Sequence, residues 1–204
     1  MGYIIMLKHQ NINNELIYLL IFIAISFVTK PHIDYLFFDI LANIFLLFLS
    51  LWYLEKDKIF TSYNLFVQII NGLWSSIIIF FTVLTMYYLI FHVHGKLVFS
   101  KTIFIAYIFF QSLVAVTEEL VFRECFYKIF SHIRINAVLI IILISFLFGL
   151  WHFYLHHSYT QFVSSFVFSF LIHISRFKIQ NFTLISCITA HFLYDILCYY
   201  LVFS

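Results

Sequence analysis

The chain has 204 residues, of which 64% are hydrophobic and 10% charged, and its formal net charge is +2. An ordinary soluble domain is about half apolar and a quarter charged, so this composition leaves too little polar surface to cover the chain in water. The charge is also too small to suggest a nucleic-acid partner.

The apolar residues recur along the whole length in runs near the roughly 20 residues that a helix needs to cross hydrocarbon. A transmembrane β-barrel would instead show ~10-residue stretches alternating apolar with polar. Ala137 to Phe148 is apolar on almost every side, with Ser145 the one exception. Only helices satisfy their own backbone in lipid, so the fold class is all-α, a polytopic transmembrane helical bundle with the lipid bilayer as its surroundings. In chain order the spans fall at about 15–29, 35–54, 74–92, 104–127, 137–155, 160–175 and 182–203.

Between the second and third of these seven spans, Phe60 to Leu73 is mixed in polarity. It reads as an interfacial helix, an extension of the third span, or a hidden eighth span. No linker or repeat divides the chain, so one integral membrane domain covers residues 1–204. Lys8 and the polar stretch His9 to Asn14 precede the first apolar run, and no small-residue cleavage pattern follows it, so no removable signal peptide is expected. With the N-terminus in the cytoplasm, Lys8, Lys56, Lys58, Lys128, Arg134, Arg176 and Lys178 lie inside, and Lys30, Lys96 and Lys101 lie outside. That excess favours the N-terminus in and the C-terminus out. Trp52, Trp74 and tyrosines near span ends fit an aromatic belt. Cys125, Cys187 and Cys198 show no CxxC spacing, which supports neither a disulfide framework nor a thiolate metal site.

Ionised side chains in a bilayer interior cost several kcal/mol, so those tolerated there usually face a cavity or a partner. Asp39 lies alone in the second span, whereas Glu118, Glu119, Arg123 and Glu124 cluster in the fourth. Glu119 and Arg123 are four apart on one helical face and can pair. Glu118, about 100° away, is left without a charge partner on its own helix. A desolvated carboxyl beside another acid suits a general base; the bland reading is a solvated helix end. In the fifth span Phe148 and His152 stack at i and i+4, and Gly149 allows a neighbouring helix to approach closely. In the last span His191 and Asp195 share a face, so the carboxylate could orient the imidazole. His156 and His157 read as outer-interface residues and His173 as marking the inner end of the sixth span.

The ordered set EExxxR, FxxxH and HxxxD on three spans resembles the three motifs of the CPBP family, the CAAX proteases and bacteriocin-processing enzymes also called the Abi family. The resemblance covers a core of about 103–204, and the first three spans carry no recognisable motif. It implies an intramembrane endopeptidase of the type that includes the glutamate-type CAAX prenyl protease, acting on a membrane-associated peptide or protein in a bacterial cell membrane. Relatives are linked to bacteriocin maturation, self-immunity, pheromone processing and envelope regulation. Carried over, the resemblance makes Glu118 the activator of a water, with His152 positioning it. His191 and Asp195 then face the oxyanion, while Glu119, Arg123 and Phe148 support the site. Two departures stand out: Glu124 follows the motif arginine where Gly is common, and Asp195 replaces a frequent Asn, which could donate a hydrogen bond where an ionised Asp cannot. No cofactor is favoured; zinc held by Glu118, His152 and His191 is the alternative. A non-catalytic scaffold for an immunity target or sensor kinase and a small proton-coupled transporter are the competing functions. The oligomeric state is left open.

Overall fold

The computed structural model describes residues 15–25, 36–54, 63–92, 95–97, 105–132 and 136–203. The N-terminal segment that bears on a signal peptide, the last residues of the first expected span and Phe60 lie outside them.

The helices in chain order are α1 (Glu15–Ala24), α2 (Leu36–Tyr53), α3 (Leu65–Phe91), α4 (Ile105–Glu119), α5 (Phe126–His132), α6 (Ala137–His156), α7 (Tyr159–Lys178) and α8 (Leu184–Tyr200). Leu120–Cys125 joins α4 to α5 as a π-helical stretch, so one rod runs from Ile105 to His132. Two three-residue strands, β1 (Gly95–Leu97) and β2 (Leu201–Phe203), pair antiparallel and tie the α3–α4 connection to the segment after α8. Among the described residues they are the one strand pair added to the expected class, and the last helix ends before them at Tyr200.

Side-chain caps set several of the starts. Asn64 Oδ1 accepts from the Phe66 N–H at 2.9 Å, and Asn136 Oδ1 from the Val138 N–H at 2.8 Å, each satisfying one orphan donor of a first turn. Of the readings of Phe60 to Leu73, the described part supports an extension, because Leu65 onward belongs to the 27-residue α3. Trp74 is therefore well inside that helix, not at its end.

Contacts fix the direction of each helix. Tyr18 of α1 bonds Ser50 near the end of α2 at 3.1 Å, and the α1 residue Glu15 pairs with His132 at the end of α5. Gln68 near the start of α3 meets Thr183 just before α8, while Phe80 reaches Tyr194, so α3 and α8 run parallel. Tyr107 meets Tyr199 and Glu119 meets His191, so α4 and α8 run antiparallel. The helices thus alternate in direction along the chain, with the α4–π–α5 rod as one traverse.

Polarity runs opposite to that of a soluble core. Asn43, Gln68, Ser76, Thr117, Glu119, Arg123 and His173 are all buried, whereas Phe48, Phe66, Trp74, Ile78, Leu89 and Phe109 are each more than 60% exposed. Outward apolar faces of this extent mark contact with something other than water. By length and apolarity Leu65–Ile90 and Ala137–His156 can each cross a membrane, and Glu15–Ala24, Asp39–Tyr53 and Leu184–Tyr200 are shorter apolar helices.

Small residues let these helices close up. A Cβ added at Gly72 of α3 would stand 2.6 Å from the Ser186 carbonyl oxygen and 2.7 Å from Thr189 Cβ on α8. Gly149 shows the approach expected of it: an added Cβ would lie 2.9 Å from the Phe162 oxygen of α7. Because the colliding atom at Gly72 is backbone, Gly72→Ala forces the two helices apart and should cost about 1–3 kcal/mol. Thermal unfolding in detergent should show a lower Tm for this variant, and an unchanged Tm would contradict the close α3–α8 contact.

Candidate functional site

The fourth traverse carries the acids. Leu120, Val121, Phe122, Arg123 and Cys125 of its π-helical stretch are buried, so protein surrounds the rod here on nearly every side. Such bulges insert an extra residue in one turn and often occur at functional sites. Glu119 and Arg123 pair as their i, i+4 spacing predicts, with Nε 3.0 Å from Oε2 and both side chains fully buried. The guanidinium also stands 5.0 Å from the centre of the Phe148 ring, within cation–π range.

Glu119 has a second partner, on α8: its Oε1 lies 2.8 Å from His191 Nδ1. A carboxylate already paired with a guanidinium can only accept, so the proton of this bond resides on Nδ1. That leaves His191 Nε2 facing Asp195 Oδ2 at 3.6 Å and Glu118 Oε2 at 3.9 Å. His152 of α6 is oriented in the same way. Its Nδ1 is 3.0 Å from the Phe148 carbonyl oxygen, which can only accept, so Nε2 of the neutral ring is an acceptor. This Nε2 also stands 3.9 Å from Glu118 Oε2.

Glu118 therefore has two differently engaged oxygens. Oε1 accepts from Trp151 Nε1–H at 3.3 Å. Oε2 is buried, has no hydrogen-bond partner among the described residues, and lies between the two imidazoles. Both rings and the carboxylate line a cleft of about 650 Å³, together with Asp195, Asp39 and Gln111.

The spacing discriminates between occupants. A water about 2.8 Å from Oε2 and from either Nε2 would subtend roughly 90° across the 3.9 Å gap, a tolerable hydrogen-bond angle. A zinc ion at about 2.0–2.1 Å from the same two atoms would need roughly 140°, far from tetrahedral. Among the described residues no group of three His, Cys, Asp or Glu side chains is arranged to hold a metal ion. The residues as placed do not fit zinc.

All of Glu118, His152, His191 and Asp195 thus meet at one cleft, and Glu119, Arg123 and Phe148 pack directly behind it. Boundaries at 127 and 137 put His152 about 8 Å deeper than Glu118, whereas the helix that carries Glu118 continues to His132. With that end, Glu118 lies about 21 Å along its rod and His152 about 22 Å along α6, at 1.5 Å per residue. The α8 start is sunken, with Phe182, Thr183 and Leu184 buried, which offsets the shorter distance from there to His191.

Trp151 is absent from the residues singled out by sequence, although an indole N–H inside a span needs an acceptor. His156 also lines the cleft, with its ring centre 6.3 Å from that of His152. Its position four residues beyond His152, on the face that starts at Phe148, is the signal that could have placed it there. His173 is buried, with Nδ1 3.0 Å from the Ser169 carbonyl oxygen, and does not mark a helix end. Glu124 pairs with Arg176 at 2.6 Å, and Arg176 Nη1 donates to the Arg123 carbonyl at 3.1 Å. The charge that departs from the family pattern is thereby met by α7 and is not among the described residues lining the cleft.

Removing Arg123 strands a buried carboxylate. Arg123→Met should destabilise the protein by about 3–5 kcal/mol, and adding Glu119→Leu should recover a large part of that loss. Unfolding of the two variants in detergent measures it; equal stability of the single and double variants would show that the pair is not the interaction lost.

Residues 100–197 match the family model of the type II CAAX prenyl endopeptidase Rce1-like proteins, the segment that contains all three motifs. No curated protein and no solved structure matches the chain.

Proposed function

Because residues 100–197, the segment with the three motifs, match the family model of the type II CAAX prenyl endopeptidase Rce1-like proteins, we propose that this chain belongs to that group of membrane proteases and is an intramembrane endopeptidase. In this reading it is a bundle of seven spans that hydrolyses a peptide bond of a membrane-associated peptide or protein through a glutamate-activated water. The observation that carries it is the unsatisfied Glu118 Oε2, held between the Nε2 atoms of His152 and His191 at 3.9 Å from each.

The reaction divides among these groups. Trp151 fixes one carboxylate oxygen, so the other takes a proton from a water that bridges to His152 Nε2, which accepts the second hydrogen. The hydroxide adds to the scissile carbonyl carbon, and the carbonyl oxygen becomes an oxyanion. His191, when it carries both protons, donates Nε2–H to that oxyanion, with Asp195 as its counter-charge. Glu118 then returns its proton to the leaving nitrogen, the C–N bond breaks, and an acid and an amine result. Glu119 and Arg123 hold His191 in place and touch no reacting atom. A cleft between helices excludes bulk water, which strengthens each of these electrostatic interactions.

Asp195 suits a counter-charge to His191 better than a direct oxyanion donor, which answers its replacement of the commoner Asn. The reading needs no metal, in keeping with the donor spacing.

Glu118→Gln keeps the indole contact and removes the base. Processing should fall by a factor of about 10² to 10⁴ while Tm stays within a degree or two of the parent. A variant that retains cleavage would remove Glu118 as the base and end the glutamate mechanism, whereas a parent protein without cleavage would leave the fold as a scaffold. Prolonged treatment with 1,10-phenanthroline or EDTA should leave the rate of the purified protein unchanged; a loss restored by added zinc would replace the glutamate mechanism with a metal-assisted one.

A further inference from the structure

The cleft lies at one end of the bundle. Asp39 is near the start of α2, Tyr107 near the start of α4, His156 ends α6, Gln161 is near the start of α7, and Tyr199 is near the end of α8, and all of them line it. These are the helix termini that the alternating directions bring to the same side. The opposite end gathers Glu15 with His132, Lys128 with the Tyr53 carbonyl, and Asn71 with the Gln180 carbonyl.

Basic residues divide between the two ends unequally. Lys128, Arg176 and Lys178 stand at the end away from the cleft mouth, and Lys8, Lys56, Lys58 and Arg134 precede or follow helix termini of that end in the sequence. In the sequence, Lys30, Lys96 and Lys101 fall between helices whose described termini stand at the mouth end. Lys and Arg near helix ends are retained on the cytoplasmic side. Among the described residues, the cleft and the basic residues Lys128 and Arg176 are placed by contacts within one bundle, so their separation does not depend on how many spans are counted.

We infer that the cleft opens to the extracytoplasmic face of the membrane, so that its substrate is an extended peptide segment presented there, such as part of an exported or membrane-anchored chain. The identity of the substrate as a peptide rests on the endopeptidase reading; the side of entry does not. Glu118 is 13 residues from Ile105 and 14 from His132, about 20 Å from either end of its rod, which places it near mid-membrane. An extended strand advances about 3.3 Å per residue, so roughly six unfolded residues must enter from the mouth before a peptide bond reaches Glu118. A folded domain cannot do this, but a flexible tail or a short peptide can.

Thiol accessibility in the full-length protein tests the side of entry. Cys198 lines the cleft, whereas Cys125 and Cys187 are buried, so the Cys198→Ala protein supplies the background. A membrane-impermeant methanethiosulfonate reagent should label Cys198 in intact cells, and this label should be lost in Cys198→Ala. Tyr159→Cys, built in that Cys198→Ala background at the 77% exposed start of α7, reports the same face if Cys198 is too deep to react. Ser131→Cys, in the same background at the exposed end of α5, should react only in inverted vesicles. Labelling of Cys198 or Tyr159→Cys solely in inverted vesicles would overturn the inference. Outward labelling combined with a fully active Glu118→Gln protein would sink the glutamate-activated mechanism and leave the orientation standing; inward labelling with an inactive Glu118→Gln protein would do the reverse.

Discussion

A buried carboxylate shared between a guanidinium and an imidazole is the constraint on which this molecule turns. Glu119 meets Arg123 on its own rod and His191 on α8, and all three are buried, with His191 at the cleft wall. Each charge would be costly alone in such surroundings, and together they form a unit that cannot separate without stranding one of its members. The unit ties the rod to α8 at a single register, and Phe148, packed against Arg123, adds α6 to the same junction. Glu118 is the neighbour of the residue so fixed. About 100° round the helix from Glu119, it is turned away from the ion pair and toward the two free imidazole nitrogens.

Packing around that junction follows the rules of a lipid-facing bundle. Hydrophobic attraction does little to hold helices together where the solvent is itself apolar, so close contact and interhelical hydrogen bonds take its place. Gly72 against Ser186 and Thr189, and Gly149 against Phe162, bring backbones near. The Ser186 hydroxyl donates to the Gln68 carbonyl at 2.8 Å, and Thr117 donates to the Asn43 carbonyl at 3.3 Å. Among the described residues many polar side chains are thus spent in the interior, while numerous Phe, Leu and Ile side chains face outward.

Contacts within one helix were legible from spacing alone. The Glu119–Arg123 pair, the Phe148–His152 stack and the shared face of His191 and Asp195 all follow from i, i+4 periodicity. Apart from the close approach at Gly149, contacts between helices were legible where the resemblance to a family supplied them. Glu118 reads as an unpartnered acid in its own segment, and its partners Trp151, His152 and His191 come from two other helices. Glu124 reads as an intruding charge because its partner, Arg176, lies 52 positions away. The length of α3 was obscured for a related reason: Gln68 and Asn71 make Phe60 to Leu73 look interfacial, yet Gln68 is buried against Thr183 and Asn71 donates to the Gln180 carbonyl. Hydropathy measures a residue by itself and cannot register the acceptor that a neighbouring helix provides.

The π-helical stretch Leu120–Cys125 has an evolutionary corollary. A wide turn of this kind is what results when one residue is accommodated within an otherwise regular helix without disturbing either flank. Deleting a single residue between Glu119 and Arg123 would restore ideal α-helical geometry and leave the flanks in register, yet it would shorten the spacing of the buried pair from four residues to three. Arg123 would then face the wrong neighbours, however good the backbone had become. Length in this segment is therefore constrained together with the identity of Arg123, because both set the register that the Glu119–Arg123–His191 unit holds.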